Sequence, residues 1–266
     1  MRYKAFEELT IADNYMFTRV MQELDVCREL LEILLGMRIA RIRAPESEAT
    51  AAASYAAKSV RLDVRTADPE HEYDIEMQTT DSGDLLLRAR YYQSLMDVET
   101  ARRGVPYRSL RHSVVIFICL FDPFGRGAPV YTFRTACKEE PGTEYDDRVT
   151  KVFYNCWDCD KMEDGGVRAL LRYIATRSAT SSYTRRLDGL VRRLRMTPRE
   201  QLYYNNWLDI RDELREEGYA EGRTESALAT ARRMLMRGRA SLEEIADCTA
   251  LSLDEVRALR EETAAV

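Results

Sequence analysis

Histidine is almost absent from this chain: His71 and His112 are the two among 266 residues. Two imidazoles cannot build a His-rich zinc site, and a Ser-His-Asp hydrolase has little to draw on. Long apolar runs are missing as well. The longest, Val114 to Phe121, reads VVIFICLF, far below the roughly 18 residues that cross a bilayer. The N-terminus, MRYKAFEELT, has no apolar core segment and no cleavage signature, so the expectation is a cytoplasmic protein with no membrane partner. Six cysteines are scattered without a disulfide framework, which suits a reducing compartment. An excess of positive charge is lacking too: 40 basic residues stand against 45 acidic ones, a net charge of -5. An obligate nucleic-acid binder usually has a pI above about 9. That balance still admits an enzyme that clusters carboxylates around a metal and sets arginine elsewhere. Most basic residues here are arginine, whose planar fork matches phosphate.

What is present is ordinary globular material, 45% hydrophobic and 32% charged, in a length that suggests one large domain or a core with an appendix. Apolar residues at helical spacing predict a helix from Ile11 to Gly36, with Gly36 just past its end. Met37 to Arg43 then reads as a short strand. Clean alternation follows in SVRLDVRT (Ser59–Thr66) and YDIEMQT (Tyr73–Thr79), the mark of half-buried strands. A helix is expected over Gly83–Thr100. Ser113–Phe121 is apolar on both faces, as a covered central strand is. Two more strands are expected at Val130–Arg134 and Val149–Asn155. From Gly165 the chain reads as helical, with an interruption near Thr197-Pro198 and two short terminal helices capped by Ser241 and Ser252. The fold class is α/β, with a domain over residues 1–196 and a helical C-terminal region over 197–266.

The chemistry gathers on the two alternating strands. Asp68-Pro69-Glu70 is a turn signal, and a hairpin centred between Pro69 and Glu70 places Asp63 opposite Glu76. Directly opposed residues have Cβ atoms roughly 4.5–5.5 Å apart, close enough for two carboxylates to share one metal ion. Oxygen ligands of this kind suit Mg²⁺ or Mn²⁺. Gln78 lies on the same face as Glu76 and can orient a water. The alternative is a solvated acidic sheet face, with Arg61 and Arg65 forming surface ion pairs to Asp63.

These residues resemble the PD-(D/E)xK nuclease superfamily, and within it the Rpn family of recombination-promoting nucleases, also described as transposases. The resemblance rests on Asp13-Asn14-Tyr15-Met16-Phe17, on RLDVRTADPEHEYDIEMQ (Arg61–Gln78) and on RARYY (Arg88–Tyr92), with a weaker match in REEGYAEG and SLEEIADCTALSLDEV near the C-terminus. It implies a core of helix, three strands, helix and strand in a mixed sheet, and Mg²⁺-dependent hydrolysis of DNA phosphodiesters. By position it makes Asp63 and Glu76 metal ligands and puts Gln78 where the superfamily has lysine. It makes Asp13 a candidate further acid, the alternative being a helix cap. Arg88 and Arg90 become candidate DNA contacts, the alternative being a solvated helix face; Tyr92 falls on the apolar stripe.

Other features support rival readings. Cys156-Trp157-Asp158-Cys159 is a CxxC that raises a thiol redox role. Ser241 to Leu259 resembles a helix-turn-helix, but its second helix carries Asp254, Glu255, Glu261 and Glu262, a poor match for a phosphate-lined groove. Packing against the chain or a second copy is the better expectation, and Gly218 and Gly222 suggest a close helix approach at a homodimer contact. A non-catalytic DNA-binding or regulatory module, its chemistry weakened by Gln78, is the alternative to an enzyme.

Overall fold

In the computed structural model, which describes residues 3–51, 60–101, 106–140, 142–143 and 145–264, the N-terminal helical pattern is split into α1 (Asn14–Met21) and α2 (Leu24–Leu35). The break has a cause in the pattern itself. Met16, Phe17, Val20 and Met21 are buried, and the next buried residue is Val26, a jump of five that no straight helix makes on one face. Leu24, apolar and at helical spacing from Val20 and Met21, is 43% exposed. Gly36 closes α2 at φ +64°, where a side chain would be strained.

The strand expected at Met37–Arg43 is not formed. Ile39 and Ile42 are both buried, and residues three apart cannot share a strand face. The segment is pinned instead by the Ile39 N–H donating to Glu32 Oε1 at 2.8 Å and the Arg43 N–H donating to the Ala67 carbonyl at 2.7 Å. The first strand is β1 (Glu46–Ala51), in a stretch of Glu, Ser, Ala and Thr that carries little strand propensity.

The remaining strands stand close to their expected places: β2 (Val60–Ala67), β3 (His71–Gln78), β4 (His112–Cys119), β5 (Val130–Phe133) and β6 (Val149–Asn155), with α3 (Leu85–Thr100) between β3 and β4. They form one sheet in the order β1-β2-β3-β4-β6-β5. The pairs β3–β4 and β4–β6 are parallel; the others are antiparallel, so the sheet is mixed. Its parallel centre is buried on both sides, as the unbroken apolar run of β4 requires. The fold is α/β.

One face lies under α3. Leu85, Ala89, Tyr92 and Met96 of that helix pack with Val115, Phe117 and Cys119 of β4 and Phe153 of β6. Phe117 stacks between Tyr92 (6.1 Å) and Phe153 (5.1 Å), so truncating it to Ala costs about 3–5 kcal/mol. From the other face Tyr154 hydrogen-bonds the Leu34 carbonyl at the end of α2. Further on come α4 (Gly165–Thr176) and α5 (Ser182–Arg195). Asp164 caps α4 through the N–H groups of Gly166 and Val167, and Ser181 forms a capping box with Thr184 on α5.

The chain divides into two units, Met1–Glu200 and Gln201–Val266, a boundary four residues beyond the expected one and inside the first turn of α6 (Pro198–Arg237). The second unit has its own core: Ala231 of α6, Ile245 of α7 (Leu242–Thr249), and Val256 and Leu259 of α8 (Leu253–Ala264). Ser241 and Ser252 cap α7 and α8 as their sequences indicate, each paired with a glutamate three residues on. A Cβ built on Gly218 or Gly222 meets nothing within 4 Å among the described residues, so neither makes a close helix approach within one chain. Among the described residues no helix is long and apolar enough to cross a membrane.

Candidate active site

The β2–β3 hairpin sets the site. Its register pairs Val64 with Ile75, Arg65 with Asp74, Thr66 with Tyr73 and Ala67 with Glu72, the pairing expected from a turn centred between Pro69 and Glu70. Asp68 holds that turn. Its N–H donates to the His71 carbonyl, its Oδ1 accepts the N–H groups of Glu70 and His71 at 2.7 Å, and its Oδ2 accepts the Tyr73 hydroxyl at 2.7 Å. Burial pushes the Asp68 carboxyl up, but these hydrogen bonds to the charged form prevail and leave it below its ordinary value.

One step beyond Val64 and Ile75 the register brings Asp63 opposite Glu76, and there the side chains take over from the ladder. The Asp63 N–H donates to Glu76 Oε1 at 2.9 Å, while the Met77 N–H donates to Asp63 Oδ2 at 3.0 Å. Each carboxylate is thus fixed by the other strand's backbone. Asp63 is 9% exposed and Glu76 1%, which removes the solvated-surface alternative. Nor does Arg65 pair with Asp63: it bridges Glu72 and Glu99. The side chain of Arg61 lies outside the described residues.

Three residues join the site that the sequence pattern did not assign to it, or assigned differently. Asn14, the first residue of α1, donates from Nδ2 to Asp63 Oδ1. Its neighbour Asp13 turns away: Oδ2 accepts the N–H and hydroxyl of Thr10 at 2.7 and 2.9 Å, and Oδ1 pairs with Lys4 at 2.6 Å. Asp13 stands at the helix N-cap, but its carboxylate closes the preceding turn and makes no cap hydrogen bond. Asp74, two residues before Glu76 on the same face, is fully buried, and neither carboxylate oxygen has a hydrogen-bond partner among the described residues. The alternation D-x-E-x-Q in Asp74-Ile75-Glu76-Met77-Gln78 is the sequence signal that places it there.

Arg88 is the third. It is not a solvated helix-face residue but folds toward the sheet. Nη1 donates to Gln78 Oε1 at 2.9 Å, Nε and Nη2 donate to the Tyr92 hydroxyl at 3.1 and 2.9 Å, and Nη2 stands 3.5 Å from Glu76 Oε2. Gln78 Nε2 also approaches Glu76 Oε2 at 3.4 Å. Arg90 is exposed, and Tyr92 is a buried core residue whose hydroxyl is pushed up to about 12 by burial and by Glu76.

The electrostatics follow from this geometry. Burial pushes the Asp74 and Glu76 carboxyls well above the usual carboxylate range. The charge of Asp63 raises both further; Arg65 and Arg88 offset part of the effect at Asp74, and the Asp63 N–H and Arg88 part of it at Glu76. The site is short of positive charge. Among the described residues no set of three His, Cys, Asp or Glu side chains is arranged to hold a metal. Mg²⁺ asks for less: one or two carboxylates, with water and substrate phosphate completing the shell. Asp63 and Glu76 fit that requirement, and the Asp74 carboxyl lies buried beside them.

The CxxC offers no comparable site. Cys156 and Cys159 are free and buried, and burial raises both thiols, the opposite of what a reactive thiolate needs. Compared with family models, with curated proteins and with solved structures, the chain matches none.

Proposed function

We propose that this protein is a metal-dependent endonuclease of the PD-(D/E)xK type that hydrolyses DNA phosphodiesters, with Asp63 and Glu76 holding Mg²⁺ or Mn²⁺. The observation that carries the reading is the buried pair itself: two carboxylates on neighbouring strands, each locked by the other strand's N–H, beside a third with no partner. Isolated buried charge is costly, and a divalent ion is the counter-charge that the donor set accepts. When bound, such an ion neutralises charge on the scissile phosphate and lowers the pKa of a water.

The chain's own groups supply the rest. Asn14 and the Met77 N–H fix both oxygens of Asp63, so its orientation is set before substrate arrives. Gln78 takes the place of the superfamily's lysine, and its Oε1 receives Arg88. Arg88 thereby brings to Glu76 a positive charge from α3 in place of one from β3. A guanidinium cannot give up a proton at neutral pH, so Arg88 stabilises charge on phosphate oxygens and does not act as a base.

The test is nicking of supercoiled plasmid by wild type and Asp63→Ala, with Mg²⁺ and with chelator. Cleavage that needs the ion and disappears in the variant supports the enzyme. A second reading, a DNA-binding module without catalysis, is favoured by the ion pair Arg88 already makes with Glu76. Plasmid retention without cleavage under every ion condition establishes that reading instead.

A further inference from the structure

The face of β3 that carries Glu76 ends, four residues earlier, in a second polar site of opposite character. Glu72 is 3% exposed. Its Oε2 takes Arg65 Nη2 at 3.2 Å, and its Oε1 takes Arg111 Nη1 at 3.4 Å with Arg43 Nη2 at 3.8 Å. One buried carboxylate thus faces three guanidinium groups from three segments of the chain. Arg65 spends its second arm on Glu99. Arg43 and Arg111 share a single oxygen at distances at or beyond the limit of a hydrogen bond, so most of their donors are unspent. These side chains line a cavity of about 350 Å³ together with Thr66, Thr100 and Ser109; the Thr66 hydroxyl donates to the Arg43 carbonyl and the Thr100 hydroxyl to the Met96 and Asp97 carbonyls.

We propose that this cleft binds a phosphate group. Arginine forks match phosphoryl oxygens in pairs, and Ser109 adds a hydroxyl to the lining. Arg65 stays with Glu72 and Glu99. Arg43 and Arg111 leave their long contacts to Glu72 and bring two positive charges to a phosphate monoester, which carries close to two negative ones at neutral pH. Two carboxylates oppose the anion, Glu99 and Glu46. Glu99 is 41% exposed and Glu46 is exposed, so both are solvated and their repulsion is screened by salt. The proposal is independent of the nuclease reading, since it needs neither a divalent ion nor a cut strand.

The experiment is calorimetric titration of inorganic phosphate into the full chain in chelator, at ionic strength held constant with chloride. Wild type is compared with Arg43→Gln and Arg111→Gln. The Arg43 side chain is 63% exposed, so that variant keeps its fold, and circular dichroism verifies both. The expected result is saturable one-to-one binding, weakened at least tenfold by either substitution, with Arg43→Lys intermediate. A 5′-phosphorylated oligonucleotide binding more tightly than inorganic phosphate assigns the group to a nucleic-acid end. Equal binding assigns it to a free phosphate. Heats no larger than those of chloride, or binding that both glutamine variants leave unchanged, overturn the proposal.

Discussion

The two ends of one strand face differ in a single respect. At Glu72 three arginines face one buried carboxylate, with Glu46 and Glu99 at the rim; at Asp63, Asp74 and Glu76 three carboxylates lie together and, among the described residues, Arg88 is the arginine paired with Glu76. Both ends lie on the same side of β3, and α3 covers both. Burial alone therefore does not make a carboxylate reactive or inert. What matters is whether the local sum of charge is satisfied by the protein or left for something else to satisfy. Around its buried carboxylate the first end is richer in cation than the second, and opposite ligands follow.

Among the polar substitutions at the two ends, the largest effect on stability is expected at Glu72. Glu72→Ala leaves Arg65 largely buried with Glu99 as its remaining partner, and leaves Arg43 and Arg111 facing it without a counter-charge between them, at a cost of about 3 kcal/mol. In a unit of this size that lowers Tm by roughly 6–12 °C, readable by thermal denaturation. Glu76→Ala should cost less stability although Glu76 is more deeply buried, because it relieves repulsion as it breaks the Arg88 pair. Equal losses at the two positions contradict the comparison.

Next in size is Arg88→Met, which removes the cation paired with Glu76. Plasmid nicking should fall about 100-fold, or about 2.7 kcal/mol of barrier, and Arg88→Lys should recover part of it. A smaller change of opposite sign is expected from Asp74→Asn. Removing an unpartnered buried carboxylate should stabilise the protein by about 1–2 kcal/mol in chelator, and by less in Mg²⁺, where the ion already offsets the charge. Denaturant titrations with and without the ion measure both.

The smallest effect tests the turn that holds the register common to both ends. Asp68→Asn gives up hydrogen bonds to a charged acceptor and should cost about 1 kcal/mol at neutral pH. Because the folded Asp68 carboxyl lies below its ordinary value, the contribution is present above the unfolded pKa of about 3.9 and is lost as pH falls through the folded one. Wild type and variant should converge in acid unfolding at low pH.

Much of this was legible in the chain. The alternation of Val60–Ala67 and His71–Gln78, with Asp68-Pro69-Glu70 between them, is enough to set the register and oppose Asp63 to Glu76, because period two admits no other face. The apolar run of β4 marks a strand covered on both sides. Other features were hidden for physical reasons. β1 is built from residues that a strand does not favour and forms because β2 offers it an edge. The split between α1 and α2 shows only as a phase jump from Met21 to Val26. Asn14 and Arg88 act through three-dimensional reach: an amide at a helix start and a guanidinium on a helix give no periodic signal of where their tips land. Asp74 was visible as a polar alternate position, but that it is buried without a partner depends on what α3 covers.

Arg88 and Glu99 sit about three turns apart on α3, which brings them to the same side of the helix. One anchors the cation-poor end of the sheet and the other touches Arg65 at the cation-rich end. A single residue inserted between them would rotate one by about 100° relative to the other. The spacing is therefore a ruler. Evolution can exchange the side chains in between, but it cannot change their number without disconnecting one end from the sheet.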